Sequence, residues 1–301
     1  MTNAIEIDHV SRSFGRVKAL DDVSFAVPEQ SILGLLGRNG AGKTTIMSIM
    51  AGQDRPSEGQ VSILGHAPFE HGATLSQIMY VRDNQRYPDD YKLHHVLRIA
   101  PDFAPNWNAD VAAELVDGFR IPAETRLKKL SRGQLSSVAI VLGLASRASV
   151  TLLDEPYLGL DVTARALFHT MLLRDYEEHP RTVVLSTHLI EESAALFDRV
   201  VILDQGRVVV DDDADAARDR AFILSGTKDA VAEVLGNHRV LERQAIGGLA
   251  SVTAEGTIDP PLRELAERHG VQLARTTLQQ LVSGYGANDA GLAEPKVATR
   301  S

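Results

Sequence analysis

The run Gly37-Arg38-Asn39-Gly40-Ala41-Gly42-Lys43-Thr44 constrains this 301-residue chain more than any other segment. It fits Gly-x-x-x-x-Gly-Lys-[Ser/Thr], with Gly37, Gly42, Lys43 and Thr44 at the fixed positions. At average glycine usage, an accidental match in a chain of this length is expected about once in a hundred. The flanks narrow it further. Ile32–Leu36 reads as a short buried strand and Thr45–Ala51 as a helix. Strand, glycine loop and helix together form an anion site. Backbone N–H groups of the glycine nest point at phosphate oxygens, and the helix N-terminus adds partial positive charge. Lys43 would reach the β- and γ-phosphates of a nucleoside triphosphate, and the Thr44 hydroxyl would ligate Mg²⁺. Asn39, Gly40, Ala41 and Thr45 are assigned to the same nucleotide site.

A matching acidic strand end follows. Val150–Leu153 is apolar and runs into Asp154-Glu155. Asp154 suits a role in holding Mg²⁺ through its water shell, and Glu155 suits polarising an attacking water as general base. Alone, such a pair is more often a solvated strand end; downstream of a phosphate-binding loop the balance reverses. The two elements imply an α/β P-loop NTPase.

Composition sets the outer bounds. There are 40 acidic and 31 basic side chains, a formal charge of −9, which argues against a non-specific nucleic-acid binder. The absence of cysteine excludes disulfides, thiolate metal sites and cysteine nucleophiles. No apolar run approaches the ~18 residues of a membrane span, and the first ten residues are too polar for a signal peptide. The expectation is a cytoplasmic protein whose membrane role, if it has one, comes through a partner.

The pattern along the chain predicts strands at Ala4–Val10 and Val23–Val27 with a turn at Asp21-Asp22, and a strand over Gly59–Gly65. Between Asp83 and Leu130 it turns helical. Asp89 or Asp90 could cap a helix around Leu93–Ile99, and Asn108 or Asp110 one at Ala109–Phe119. Ser131 suits the N-cap of a helix whose residues Leu135, Val138, Ala139, Leu142 and Ala145 share one face. Val150–Leu153, a helix over Val162–Tyr176 and Thr182–Ser186 form a βαβ unit. Val200–Leu203 and Arg207–Val210 read as a hairpin. Asp211–Asp219 reads as a solvated linker or helix start. Strands and helices alternate beyond it as a small α+β unit, and residues 286–301 read as a flexible tail. The domains expected are therefore 1–215, with a helical subdomain about 83–147, and 216–285.

Leu130-Ser131-Arg132-Gly133-Gln134 narrows the class. It begins 87 residues after Lys43 and 24 before Asp154, and it resembles the LSGGQ signature of the ATP-binding subunits of ABC transporters. Arg132 stands where the family has its first glycine. The resemblance spans about residues 3–215 and includes bacterial systems with separate membrane subunits, often of the ABC-2 export type. It implies a P-loop core with an antiparallel β subdomain and an α-helical signature subdomain, alongside the small C-terminal α+β domain. It implies a homodimer or heterodimer in which Ser131, Gly133 and Gln134 meet the γ-phosphate held by the other subunit. By the same resemblance Asp161, in Leu158-Gly159-Leu160-Asp161, would couple the two sites. His188 would touch the γ-phosphate, and Phe14 would stack on adenine. The family's phosphate-sensing glutamine falls on Asp83 by simple alignment, with Gln85 as the alternative.

The implied cofactors are ATP and Mg²⁺, with Thr44, Asp154 and Asp83 around the metal, and Glu155 and His188 in catalysis. The implied partners are a second ATP-binding subunit and an integral membrane transporter subunit, which would hold the chain at the inner face of the membrane. No direct nucleic-acid contact is expected. A soluble ABC ATPase acting on nucleic acid or ribosomes is the alternative; those forms carry two nucleotide domains or a long inserted coiled coil, and this chain has neither pattern. His94-His95 point to different helix faces, a poor metal site.

Overall fold

The computed structural model describes residues 2–82 and 85–287; Asp83 and all of the expected tail beyond residue 287 lie outside the described residues. The chain opens with a hairpin of β1 (Asn3–Phe14) and β2 (Val17–Pro28), turning at Gly15. The expected turn at Asp21-Asp22 is instead inside β2. Asp22 takes φ +57° opposite His9 at +50°, the β1–β2 register shifts there, and the Asp22 N–H donates to Ser11 Oγ at 3.0 Å. A bulge accommodates the left-handed Asp without ending the strand.

After β3 (Ile32–Leu36) and the helix Lys43–Met50, β4 (Glu58–Ile63) joins β1 to give an antiparallel sheet ordered β2-β1-β4. The second sheet adds β5 (Ile78–Arg82), β6 (Val150–Asp154), β7 (Thr182–Ser186), β8 (Arg199–Asp204) and β9 (Arg207–Asp213). Its order is β5-β6-β7-β3-β8-β9, and the pairs β5–β6, β6–β7, β7–β3 and β3–β8 are parallel. Every residue of β3, β6 and β7 is buried, as a parallel sheet covered on both faces requires. Leu33, Leu35, Leu152 and Val184 share one core with Ile46, Met47 and Met50 of the first helix and with the antiparallel sheet. On the other face a Cβ at Gly34 would lie 2.8 Å from the Phe197 ring, and one at Gly143 would lie 2.8 Å from Val81.

The helical stretch consists of Leu93–Phe103, Ala109–Gly118 and Arg132–Ala145. Asn108 caps the second of these through a 2.9 Å bond from the Val111 N–H. Asp89 and Asp90 do not cap the first. Its N-cap is Lys92, and the two aspartates pair with Lys128 at 3.1 Å and Arg126 at 3.3 Å. The helix Arg132–Ala145 is buried from Ser136 to Ala145, not along one face as its apolar spacing suggests. Ser136 and Ser137 permit this because their hydroxyls donate to the Leu158 and Gly133 carbonyls at 2.7 and 3.0 Å.

The chain divides into two compact units, Met1–Asp211 and Asp212–Ser301. In the second unit β10 (Ala221–Thr227), β11 (Val240–Ile246), β12 (Leu249–Glu255) and β13 (Gln272–Arg275) form an antiparallel sheet ordered β11-β12-β10-β13. With helices Lys228–Leu235 and Pro260–Arg268 between strands, the connectivity is the ferredoxin-like β-α-β-β-α-β. Phe222, Leu224, Val231, Val234, Val252 and Ala266 form its core. The acidic run is structured: it ends β9 and enters the helix Ala214–Arg218, with Asp212 paired to Arg220 at 2.8 Å and Asp219 to Arg275. Phe222→Ala is expected to cost the second unit about 3–5 kcal/mol, read as faster hydrogen exchange at β10 and β12 amides in urea with the β3 and β7 amides unchanged.

Candidate active site

Parallel strands that stop in register put their carboxyl ends at one edge. Leu35 and Asp154 both lie opposite Ser186, and Arg82 lies opposite Asp154. The phosphate-loop candidate leaves β3 at this edge. Gly37 takes φ +143°, and a Cβ there would sit 2.3 Å from the Leu203 carbonyl oxygen. Gly42 takes φ +107° at the N-cap of Lys43–Met50, where a Cβ would meet Leu20 at 2.7 Å. No side chain caps that helix and no acid occupies its first turn, so its N–H groups face the site. Asn39, Gly40, Gly42, Lys43, Thr44, Thr45 and Glu155 line a cavity of about 300 Å³; Ala41 is buried behind it.

Lys43 is buried, and its Nζ donates to the Gly37 carbonyl at 2.8 Å and the Arg38 carbonyl at 3.2 Å. Burial pushes its pKa down, against the opposing pull of Glu155 and Asp154. Its Nζ is 4.0 Å from Glu155 Oε1. The other carboxylate oxygen, Glu155 Oε2, accepts from His188 Nδ1 at 2.6 Å and from the His188 N–H at 3.3 Å. Glu155 itself takes φ +50°, a conformation that costs a non-glycine residue and that clusters at functional sites.

Asp154 is buried at the end of β6, and its Oδ1 accepts from Ser186 Oγ at 2.6 Å. Tyr80 donates to Oδ2 at 3.4 Å; burial, then the Asp154 charge, pushes its hydroxyl up to about 12, so it stays a donor. Ser186 also accepts the Glu155 N–H at 3.0 Å. Neither Tyr80 nor Ser186 stands out in the sequence, where each sits in an apolar strand and reads as core. Thr44, Gln85, Asp154 and Glu155 line an adjoining cavity of about 610 Å³ with Arg82, Arg86 and Leu158. Of the two residues proposed for the phosphate sensor, Gln85 is thus at the site, and Asp83 is outside the described residues. The hydroxyl and carboxylate donors around Thr44 and Asp154 suit a hard, oxygen-seeking cation.

The other assignments lie further off. Phe14 is half exposed at the end of β1, with Arg12 over one ring face at 4.6 Å; two bonds of 2.9 and 2.7 Å hold Arg12 to Asp54. Asp161 caps the helix Val162–Glu178 through the Ala164 N–H at 2.8 Å. Ser131 and Gln134 form a capping box, with Ser131 Oγ accepting the Gln134 N–H at 3.2 Å and Gln134 Oε1 accepting the Ser131 N–H at 3.0 Å. Arg132 beside them is exposed. Neither cavity is lined by Ser131, Gly133 or Gln134.

Residues 20–158 match the family model described as ABC transporter, a span that holds the phosphate loop, Leu130–Gln134, Asp154 and Glu155. Over 246 residues the chain is 32% identical to the aliphatic sulfonates import ATP-binding protein of Burkholderia ambifaria, covering 82% of this chain and 73% of that one. The chain belongs to the ABC transporter ATP-binding proteins. A corresponding import protein of Pseudomonas putida is 32% identical over 213 residues, or 70% of this chain and 76% of that protein. Among solved structures, one described as the ATP-binding subunit of an ABC transporter superposes with a TM-score of 0.65 at 25% identity, over 72% of this chain and 92% of that chain. These bear out the expected α/β P-loop fold and an ATP-binding, ATP-hydrolysing chain, and give no support to the nucleic-acid or ribosome alternative.

Within this cassette Gly133 has a structural duty. A Cβ there would lie 2.2 Å from the Gly159 carbonyl oxygen, so the signature helix meets the Leu158–Asp161 loop backbone to backbone. Gly133→Ala is expected to displace that loop and cost about 1–3 kcal/mol, measured as a lower urea midpoint without nucleotide.

Proposed function

We propose that this ATP-binding subunit works in pairs, two identical copies or one copy with a related subunit, closing around two Mg-ATP molecules. The observation that carries the reading is that the phosphate loop is complete as a cradle while the Ser131 helix start faces neither of its cavities. A capped helix N-terminus with a hydroxyl is an anion site, and a second subunit's γ-phosphate supplies the anion.

In this reading the loop N–H groups and Lys43 hold the β- and γ-phosphates, and phosphate oxygens take the place of the Gly37 and Arg38 carbonyls on Lys43. Thr44 and Asp154, with Asp83 or alternatively Gln85, would hold Mg²⁺, which would neutralise charge on the phosphates. Phe14, half exposed, would stack on adenine. Glu155 accepts a proton from the attacking water, and His188 orients that carboxylate and the γ-phosphate. Loss of the γ-phosphate then separates the subunits, with Asp161 linking the two sites.

Among the described residues no helix is long and apolar enough to cross a membrane. We assign the mechanical output to an integral membrane transporter subunit, reached through the region of about 83–110, so that the chain would sit at the inner face of that membrane. The relatives are named for import of aliphatic sulfonates, whereas the sequence likeness reached systems often of the export type; in this reading cargo and direction lie with the membrane subunit. Residues 1–215 form the ATP-binding domain, and 216–285 a regulatory or dimer-stabilising one.

Glu155→Gln is expected to lower ATP turnover at least ~10²-fold, the usual worth of a positioned general base, and to accumulate an ATP-bound dimer on size exclusion. Normal turnover in that variant would remove Glu155 from its role. Separately, Ser131→Ala mixed with a Lys43→Ala partner should restore no more than about half of the sites' activity, whereas independent sites would give a simple sum.

A further inference from the structure

Tyr157 lies two residues beyond Glu155, is 2% exposed, and packs edge-on against Phe168 with ring centroids 5.3 Å apart. Its hydroxyl is not idle. Ser193 Oγ, fully buried, donates to it at 3.0 Å, and it lies 3.0 Å from His169 Nε2. Burial pushes the Tyr157 hydroxyl up and the His169 imidazole down. A protonated phenol therefore faces a neutral imidazole, and the Ser193 hydroxyl that meets the phenol also reaches the Leu189 carbonyl at 3.2 Å. Ser193 ends the short helix Ile190–Ser193 that begins two residues after His188.

A second tie runs parallel to the first. Arg165, on the helix capped by Asp161, holds Glu192 through two bonds of 2.7 and 3.1 Å. Its third nitrogen donates to the Leu160 carbonyl at 2.8 Å, next to Asp161. The loop Glu155–Asp161 is thus tied at Tyr157 and Leu160 to the far end of the segment His188–Ser193, at Ser193 and Glu192. At the opposite end of both stretches, His188 meets Glu155 at 2.6 Å. That contact is between a half-exposed histidine and a glutamate in a left-handed conformation.

We propose that Tyr157 and Arg165 are positioning residues that lock the His188 segment to the Glu155–Asp161 loop, so that the histidine and the general base move as one body with Asp161. This rests on the assignment of Glu155 and His188 above. A buried hydroxyl pair and a bidentate arginine make two separate ties between the loops, so that sliding one past the other would break both. A displacement of ~1 Å at a reacting group is enough to cost up to ~10²-fold in rate.

The test is steady-state ATP hydrolysis on the full chain, with Glu155→Gln as reference. Tyr157→Phe keeps the ring against Phe168 and removes only the hydroxyl; it should lower kcat about tenfold while KM for ATP stays within twofold. Ser193→Ala should do the same, and the double variant should be no worse than either single, since both break one tie. Arg165→Gln should also lower kcat, and adding Tyr157→Phe to it should lower kcat further, since that breaks the second tie. A merely structural hydroxyl would lower the melting temperature and leave kcat intact. The proposal is overturned if Tyr157→Phe and Ser193→Ala each retain kcat within twofold while Glu155→Gln abolishes it, or if their losses multiply in the double variant. If Glu155→Gln itself hydrolyses ATP normally, the reading of the general base fails instead.

Discussion

Leu35 of β3 and Asp154 of β6 face Ser186 of β7 from opposite sides, and all three strands are buried throughout. Register in such a sheet is held by packing on both faces, because slipping one strand by a residue would exchange its two sets of side chains. That register sets the level at which each strand stops. The phosphate loop, the acidic pair and the His188 segment leave from three adjacent strand ends, which is where open parallel sheets place their ligands. The contact of Gly37 with the Leu203 carbonyl draws the loop in against the end of β8.

Charge at this edge is arranged around a buried lysine. Lys43 is served by two backbone carbonyls and by Glu155 at 4.0 Å. Those carbonyls are neutral partners for a desolvated cation, so phosphate oxygens have a favourable exchange to make. Asp154 is held apart from this contact by Ser186 and Tyr80, which occupy one position on each of its oxygens. The two adjacent carboxylates thereby face different work, one oriented by hydroxyls and one by an imidazole.

The signature segment is held by capping and close packing together. Ser131 and Gln134 satisfy each other's backbone N–H, and Gly133 lets the helix start lie on Gly159. Ser136 ties the same helix to Leu158. The loop that carries Asp161 is therefore fastened on one side to the signature helix and on the other to the His188 segment. The first of these fastenings is a backbone contact at Gly133 and Gly159, and the second is made by side chains.

Local pattern identified the P-loop, the acidic strand end, the Ser131 cap and the order of strands and helices, because glycine spacing, strand apolarity and capping chemistry act over a few residues. Asn39 to Thr45, Asp154 and Glu155 were readable for that reason. The pattern misread Asp21-Asp22 as a turn, since an aspartate at a bulge and one in a turn look alike in one dimension. It also gave Asp89 and Asp90 to a helix cap when lysine and arginine from another loop were better partners. Tyr80, Ser186, Tyr157 and Arg165 look like ordinary core or helix residues until the fold is built. Their roles depend on partners that are 27 or more residues away in the chain and come within 3.5 Å only once the strands are stacked. Short-range chemistry was written in the residue order; the partners of buried hydroxyls and charges were settled by packing, which no local spacing encodes.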